Sequence, residues 1–223
     1  INWTKGLDAQ GRPTPNPAAT DRKKPALVFP SLNGAHSWEP MAYSPVTGLV
    51  YIPTREEGMV LLQNAQYSWQ AGAWNTGNFS ILHESLDFLD EASGALYLDT
   101  LAANPDLPDP TVQEFLMAWD PVAKSERWRV PLGASGYQAG GVLTTAGNLV
   151  IQGRGSGELS FYRADTGELL RHVDVGTGIM AAPISYAIDG EQYVAVLAGG
   201  NAFSGPLAAR NRFENYGRLL AFK

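Results

Sequence analysis

The sequence contains no cysteine, only three histidines and no long apolar run. Without cysteine the chain has no disulfide, thiolate metal ligand, cysteine nucleophile or covalently attached haem of its own. His36, His83 and His172 include no pair four residues apart, so we expect no zinc site built on histidine. No stretch reaches the roughly 18 apolar residues of a membrane span, so we predict none.

Basic residues are also scarce. The chain has 16 Lys and Arg against 22 Asp and Glu, which gives a net charge of −6 at pH 7. A protein that binds nucleic acid needs a basic face, so we expect no nucleic acid partner. Glycine and proline are frequent by contrast, with 24 and 15 residues. This composition is typical of many turns between short strands and argues against a helical bundle.

Two similar segments lie 43 residues apart: AWDPVAKSERW at residues 118–128 and FYRADTGELLR at residues 161–171. The same spacing carries GGVLTTAGNLVIQG, from Gly140, onto PISYAIDGEQYVAVLAG, from Pro183. Each repeat unit, about residues 118–160 and 161–203, has the pattern of a strand, a polar turn, a strand and an apolar hairpin. Four strands in about 40–50 residues are the signature of β-propeller blades. The sequence therefore predicts an all-β propeller.

Parts of further blades flank the two repeats. EPMAYSPVTGLVYIPT, at residues 39–54, matches the apolar hairpin, and GRLLAFK, at residues 217–223, matches the first strand of a unit. Two complete and two partial units do not close a ring, and a blade needs neighbours on its faces. We therefore expect residues 1–223 to be part of one propeller domain, with the remaining blades N-terminal and outside this chain.

Residues 55–113 break the repeat. They contain the aromatic and polar stretch NAQYSWQAGAWNTGNF and the acidic, proline-rich stretch LAANPDLPDPTVQ. We predict one long irregular insertion between two strands of a blade, with a short helix at about residues 82–89. Long ordered loops usually serve as lids or contact surfaces, and plain decoration remains the alternative.

The first repeat resembles the tryptophan-docking motif of the pyrroloquinoline quinone (PQQ)-dependent alcohol dehydrogenases, which has the form A-x-D-x-x-T-G-x-x-x-W. Ala118, Asp120 and Trp128 match this motif, and Lys124 stands in place of its glycine. The second repeat has Arg171 in place of the tryptophan. A guanidinium does not stack as an indole does, so we expect this contact between blades to be weakened or replaced.

Three longer stretches resemble the same family more specifically. They are GAHSWEPMAYSPVTGLVYIP, AGGVLTTAGNLVIQG and DGEQYVAVLAGG. The resemblance implies the C-terminal blades of an eight-bladed β-propeller, in an enzyme that oxidises primary or secondary alcohols to aldehydes or ketones with PQQ as hydride acceptor. It also implies a calcium or lanthanide ion, a cytochrome c-type electron acceptor and a periplasmic location.

The resemblance assigns the catalytic base and the metal ligands to earlier blades, so we expect neither in this chain. Trp38 matches a tryptophan that faces the cofactor, and Ser37 replaces the asparagine beside it. Serine has a shorter reach and fewer donors than asparagine, so a bridging water is an alternative to a direct bond. Gly141 and Val142 match a segment whose backbone approaches the cofactor.

Other interpretations of these residues remain open. Trp38 is also consistent with a tryptophan that packs within or between blades, and residues 140–142 with a β-bulge. His36 and Trp74 are candidates for lining the substrate pocket. A histidine at position 36 is more typical of a structural hydrogen-bonding residue.

A different class of function also remains open. Ser37, Ala139 and Arg171 depart from the family pattern, and these departures favour a non-catalytic scaffold of the same repeat family. The carboxylates do not decide the matter, because Asp120 and Asp165 lie in turn motifs, where aspartate caps backbone groups. The preceding blades would discriminate, since only a dehydrogenase needs the base and the metal ligands there.

Overall fold

The computed structural model describes residues 1–21, 23–73, 75–134, 140–199 and 217–223. Strands account for 43% of the structure and helices for 11%, which confirms the all-β class. Among the described residues, no helix has the length and apolar character needed to cross a membrane. The chain divides into a smaller unit, Ile1–Ala35 with Glu56–Val112, and a larger unit, His36–Arg55 with Gln113–Lys223.

Short antiparallel strands make up most of the secondary structure. In chain order the described strands are β1 (Thr4–Leu7), β2 (Pro13–Pro15), β3 (Ala26–Val28), β4 (Ala42–Ser44), β5 (Leu49–Glu56), β6 (Met59–Gln63), β7 (Asn78–Ile81), β8 (Gln113–Asp120), β9 (Ser125–Gly133), β10 (Val142–Thr145), β11 (Leu149–Gly153), β12 (Glu158–Arg163), β13 (Leu169–Asp174), β14 (Ile184–Ile188), β15 (Glu191–Ala198) and β16 (Arg218–Phe222). The helices are α1 (Pro17–Thr20), α2 (Glu91–Ala102) and a 3-10 helix (His83–Phe88).

The larger unit has the strand order of consecutive propeller blades. Its described sheets are β4-β5-β8-β9, β10-β11-β12-β13 and β14-β15-β16. In the second and third sheets hydrogen-bonded neighbours follow one another along the chain, as they do in a propeller blade, and in the first sheet the insertion separates β5 from β8. The 43-residue spacing relates Ala118 on β8 to Phe161 on β12. Each of these strands is the third strand of its sheet.

The middle sheet of the larger unit is buried on both faces. On β11, Val150 packs into the core shared with the first sheet, and Ile151 packs into the core shared with the third. Successive side chains of a strand point to opposite faces. Because both faces of this sheet are buried, the consecutive residues Leu149, Val150 and Ile151 are all apolar. The unbroken apolar stretch in the sequence is therefore the mark of a blade between two blades.

Turn residues with positive φ close the hairpins that the repeat predicts. Gly48, Asn148 and Gly190 have φ of 71°, 62° and 81° in the hairpins β4–β5, β10–β11 and β14–β15. In the turn between β12 and β13 Gly167 has φ of 77°, and Lys124 has φ of 55° in the matching turn between β8 and β9. Lys124 therefore adopts a left-handed conformation that a side chain disfavours and glycine accepts.

The insertion is more regular than its sequence predicts. It contains β6 and β7, which form one sheet with β3 in the order β3-β6-β7, and the 3-10 helix where the short helix is expected. It also contains α2, which begins where the Asp90 side chain accepts a hydrogen bond from the Ser93 N–H at 2.7 Å. The sequence does not predict α2, because its apolar residues Leu96, Tyr97 and Leu98 are consecutive rather than spaced along one face.

Candidate functional site

The candidate site lies in the larger unit, in the loop of residues 36–41 that leads into β4. His36 Nδ1 is 2.7 Å from the carbonyl oxygen of Pro53 on β5. Because a carbonyl oxygen only accepts, Nδ1 carries the hydrogen of this bond. One nitrogen of His36 thus anchors the loop to β5.

A buried ion pair holds the next part of the loop. Glu39 Oε1 accepts a hydrogen bond from Arg55 Nη2 at 3.0 Å, and the two side chains are 3% and 6% exposed. Glu39 Oε2 accepts a hydrogen bond from the backbone N–H of Ser37 at 3.3 Å. The loop is therefore tied to the end of β5, while Ser37 is exposed and the Trp38 side chain is 49% exposed.

The same loop contacts the segment that contains Gly141 and Val142. The Val142 N–H donates to the carbonyl oxygen of Pro40 at 2.9 Å. A Cβ added at Gly141 would lie 2.7 Å from Pro40 Cδ and 2.8 Å from Ala182 Cβ, so this packing requires glycine. The structure thus gathers five of the predicted site residues in one part of the larger unit: His36, Ser37, Trp38, Gly141 and Val142.

The backbone donors of the glycine segment are engaged within the protein. Gly140 N–H donates to Gly153 O at 2.8 Å, and Gly141 N–H donates to Met180 O at 3.3 Å. The Val142 side chain is only 4% exposed and belongs to the core. The N–H groups of this segment are therefore not available to a ligand. A cofactor role for Gly141 and Val142 stays a prediction.

Trp38 and Ser37 present the chemistry that a ligand can use. The Trp38 indole N–H has no hydrogen-bond partner among the described residues, and its ring offers a flat apolar face. The Ser37 hydroxyl adds one rotatable donor beside it. The two side chains suit a flat aromatic ligand with a polar edge.

Sequence reasoning does not identify Glu39, Arg55 or Gln152 as part of this site. Gln152 is fully buried, and its Nε2 donates to Gly140 O at 3.2 Å. The sequence signals were two charged residues: Glu39 directly after Trp38, and Arg55 within the apolar strand β5. Neither signal names its partner, because the pairing depends on how the loop folds back onto β5.

The remaining predicted residues do not extend the site. Trp74, proposed for the substrate pocket, lies outside the described residues, as does Ala139. Asp120 caps its turn as expected, since its Oδ1 accepts the N–H groups of Val122 and Ala123 at 3.0 Å and 2.8 Å. In the part of the chain that the structure describes, no group of three His, Cys, Asp or Glu is placed to hold a metal ion.

The chain is similar to known proteins along nearly its whole length. The family model for PQQ, described as glucose/ethanol/alcohol dehydrogenase, beta-propeller domain, matches residues 4–194. The quinohemoprotein alcohol dehydrogenase of Comamonas testosteroni is 38% identical over 231 residues, which cover 100% of this chain and 29% of that protein. Its crystal structure aligns with a TM-score of 0.71 and 37% identity, over 89% of this chain and 27% of that one.

Two further relatives extend the comparison. The 1-butanol dehydrogenase (cytochrome c) of Thauera butanivorans is 32% identical over 231 residues, which cover 100% of this chain and 30% of that protein. The structure of a europium-containing methanol dehydrogenase aligns with a TM-score of 0.67 and 25% identity, over 89% of this chain and 31% of that one. The chain thus spans less than a third of the length of these relatives.

Proposed function

Because the chain belongs to the beta-propeller domain family of the PQQ-dependent glucose, ethanol and alcohol dehydrogenases, we propose that it forms one wall of the PQQ site in a longer alcohol dehydrogenase. The observation that carries the proposal is the exposed Trp38 indole on a loop that is tied to Gly141 and Val142. Both segments belong to the stretches that resemble the family most specifically.

The proposed reaction oxidises a primary or secondary alcohol to an aldehyde or ketone. When bound, PQQ supplies the acceptor for the hydride that leaves the alcohol carbon. A base takes the hydroxyl proton, and we place that base on the blades outside this chain. We place a calcium or lanthanide ion there as well, as a Lewis acid, with support from the europium-containing relative.

The residues of this chain bind and orient. The flat face of Trp38 packs against the cofactor ring system and excludes water from it. The Ser37 hydroxyl donates one hydrogen bond to the polar edge, directly or through a water. His36 lies on the same loop, and we place it on the substrate side, where the ring nitrogen not used by Pro53 O is able to hydrogen-bond to the alcohol.

The partners that we propose follow from the relatives. The N-terminal propeller segment is the first partner, because the chain spans about 30% of the curated relatives. A cytochrome c-type electron acceptor is the second, since the name of the Thauera butanivorans enzyme includes cytochrome c. We propose a periplasmic location for the whole protein and, given the net charge of −6, no nucleic acid partner.

Titration of the full-length apoprotein with PQQ tests this function. We expect the wild type to bind PQQ and oxidise alcohols, and Trp38→Ala to bind PQQ about 10- to 100-fold more weakly, because it loses an aromatic contact. Trp69→Ala is the matched control, since it removes a 70% exposed tryptophan of the smaller unit and should bind like the wild type.

The same titration decides between an enzyme and a scaffold. The scaffold is favoured by Ser37 and Arg171, which depart from the family pattern. A full-length protein that folds, binds no PQQ and oxidises no alcohol would leave the non-catalytic propeller as the function.

A further inference from the structure

The Glu39–Arg55 pair is buried, unlike the ion pair between Arg163 and Glu168. Its side chains are 3% and 6% exposed, whereas those of the pair Arg163–Glu168 are 45% and 60% exposed. An exposed pair contributes little to stability, and a buried pair carries a desolvation penalty that its own attraction does not reliably repay. Stability alone therefore does not account for burying Glu39 beside Trp38.

The two oxygens of the Glu39 carboxylate have separate partners. Oε1 accepts from Arg55 Nη2 at 3.0 Å, and Oε2 accepts from the Ser37 N–H at 3.3 Å. One carboxylate thus links the end of β5 to the backbone immediately before Trp38. A hydrogen bond to an ionised acceptor is stronger than a neutral one, so it restricts the loop more.

The residue after Glu39 fixes the other side of the loop. Pro40 O accepts the Val142 N–H at 2.9 Å, and the Pro40 ring packs against Gly141. Any movement of Glu39 would shift Pro40 with it, because the two residues are adjacent. The carboxylate therefore stands between the two elements proposed to form the cofactor wall.

We propose that Glu39 is a positioning residue that sets the conformation of Ser37 and Trp38 against the cofactor, with Arg55 as the partner that anchors its carboxylate to the end of β5. This inference rests on the proposed function for its consequence in PQQ binding. The local effect on the loop is a property of the apoprotein and does not depend on PQQ.

Two double variants of the full-length protein separate positioning from charge. Arg55→Met with Glu39→Gln retains an acceptor for the Ser37 N–H without burying a charge, and Arg55→Met with Glu39→Leu removes that acceptor. Both lack the ion pair, and apolar replacement of such a pair is often neutral for stability. The readouts are the unfolding temperature, hydrogen exchange of residues 36–41 in the apoprotein, and the Kd for PQQ.

We expect the two double variants to have similar unfolding temperatures. Relative to the glutamine variant, the leucine variant should exchange residues 36–41 about tenfold faster and bind PQQ about tenfold more weakly. Equal exchange and equal Kd in the two variants would overturn the inference. Glu168→Gln, in the exposed pair, is the control and should leave both readouts at the wild-type value.

A third variant keeps the inference testable if the leucine variant does not fold. Glu39→Gln alone preserves shape and replaces the charged acceptor with a neutral one, so residues 36–41 should exchange about three- to tenfold faster than in the wild type. Unchanged exchange would overturn the inference. Failure of the wild type to bind PQQ would instead overturn the proposed function, since the exchange result needs no PQQ.

Discussion

The two faces of the middle sheet in the larger unit are closed in different ways. On the face toward β4-β5-β8-β9, the Tyr51 hydroxyl and Trp128 Nε1 both donate to Ala164 O, at 2.9 Å and 3.1 Å. On the face toward β14-β15-β16, the repeat places Ile151 and Arg171 at the matching positions. Those two residues line a cavity of about 340 Å³.

The difference shows that matching positions of the 43-residue repeat can make two kinds of contact between blades. The Trp128 ring packs against Gly167 and lies 5.6 Å from the Tyr51 ring, centroid to centroid. Aromatic groups with a polar atom combine a large contact area with a directed hydrogen bond. At the second face Arg171 supplies no indole, and the contact is made by the apolar core that contains Ile151.

The largest expected effect comes from removing the aromatic contact. Trp128→Ala should lower the free energy of unfolding by about 3 kcal/mol, because it removes a large ring and leaves Ala164 O with one donor fewer. Arg171→Ala, at the matched position, should lower it by less than about 1 kcal/mol. Chemical denaturation of the full-length protein measures both, and equal losses would show that the two faces are equivalent.

The sequence predicts the strands of this comparison well but not its contacts. The 43-residue repeat and the hairpins locate β8 to β15, because apolar alternation and turn residues are local signals. The role of Ala164 O as a shared acceptor is not predictable, since any residue offers a carbonyl and only packing selects one. The helix α2 is missed because its apolar residues Leu96, Tyr97 and Leu98 are consecutive rather than spaced along one face.

In the candidate site, too, the sequence indicates the residues but not their contacts. Resemblance names Trp38, Ser37, Gly141 and Val142, and the structure gathers them in one place. The resemblance does not indicate that the Val142 N–H donates to Pro40 O, because that hydrogen bond joins residues about a hundred positions apart. Local patterns identify residue types, whereas long-range contacts decide which of their groups remain free.

A second prediction concerns the small residue beneath the indole. A Cβ added at Gly167 would lie 2.7 Å from Trp128 Cε3, and φ at this residue is 77°. We expect Gly167→Ala to destabilise the protein by about 2 kcal/mol, from backbone strain and overpacking together. The matched control is Gly190→Ala, where φ is 81° and no atom lies within 4 Å of the added Cβ.

The control isolates the contact from the backbone conformation. Gly190→Ala should cost about 1 kcal/mol, which is the strain of the left-handed conformation alone. Thermal and chemical unfolding of the two variants in the full-length protein give the comparison. Equal destabilisation would mean that the Trp128 ring moves away from position 167 without loss, and the close packing at the first face would then be unimportant.

The smallest effect is expected at Tyr51, and it depends on pH. Burial, with the negative charge of Asp165 in addition, raises the pKa of the Tyr51 hydroxyl above its ordinary value of 10.0, against the hydrogen bond from Thr47. Tyr51→Phe should lose about 1 kcal/mol at pH 7, where the hydroxyl is protonated and donates to Ala164 O. A raised folded-state pKa means that this stabilisation is complete below about pH 10 and is lost as the pH rises through the folded-state pKa.

The difference in free energy of unfolding between wild type and Tyr51→Phe should therefore shrink above pH 10 in urea unfolding. Tyr43→Phe, at an exposed position on β4, serves as the control with no such change, and a pH-independent difference at Tyr51 would contradict a buried donor at this face.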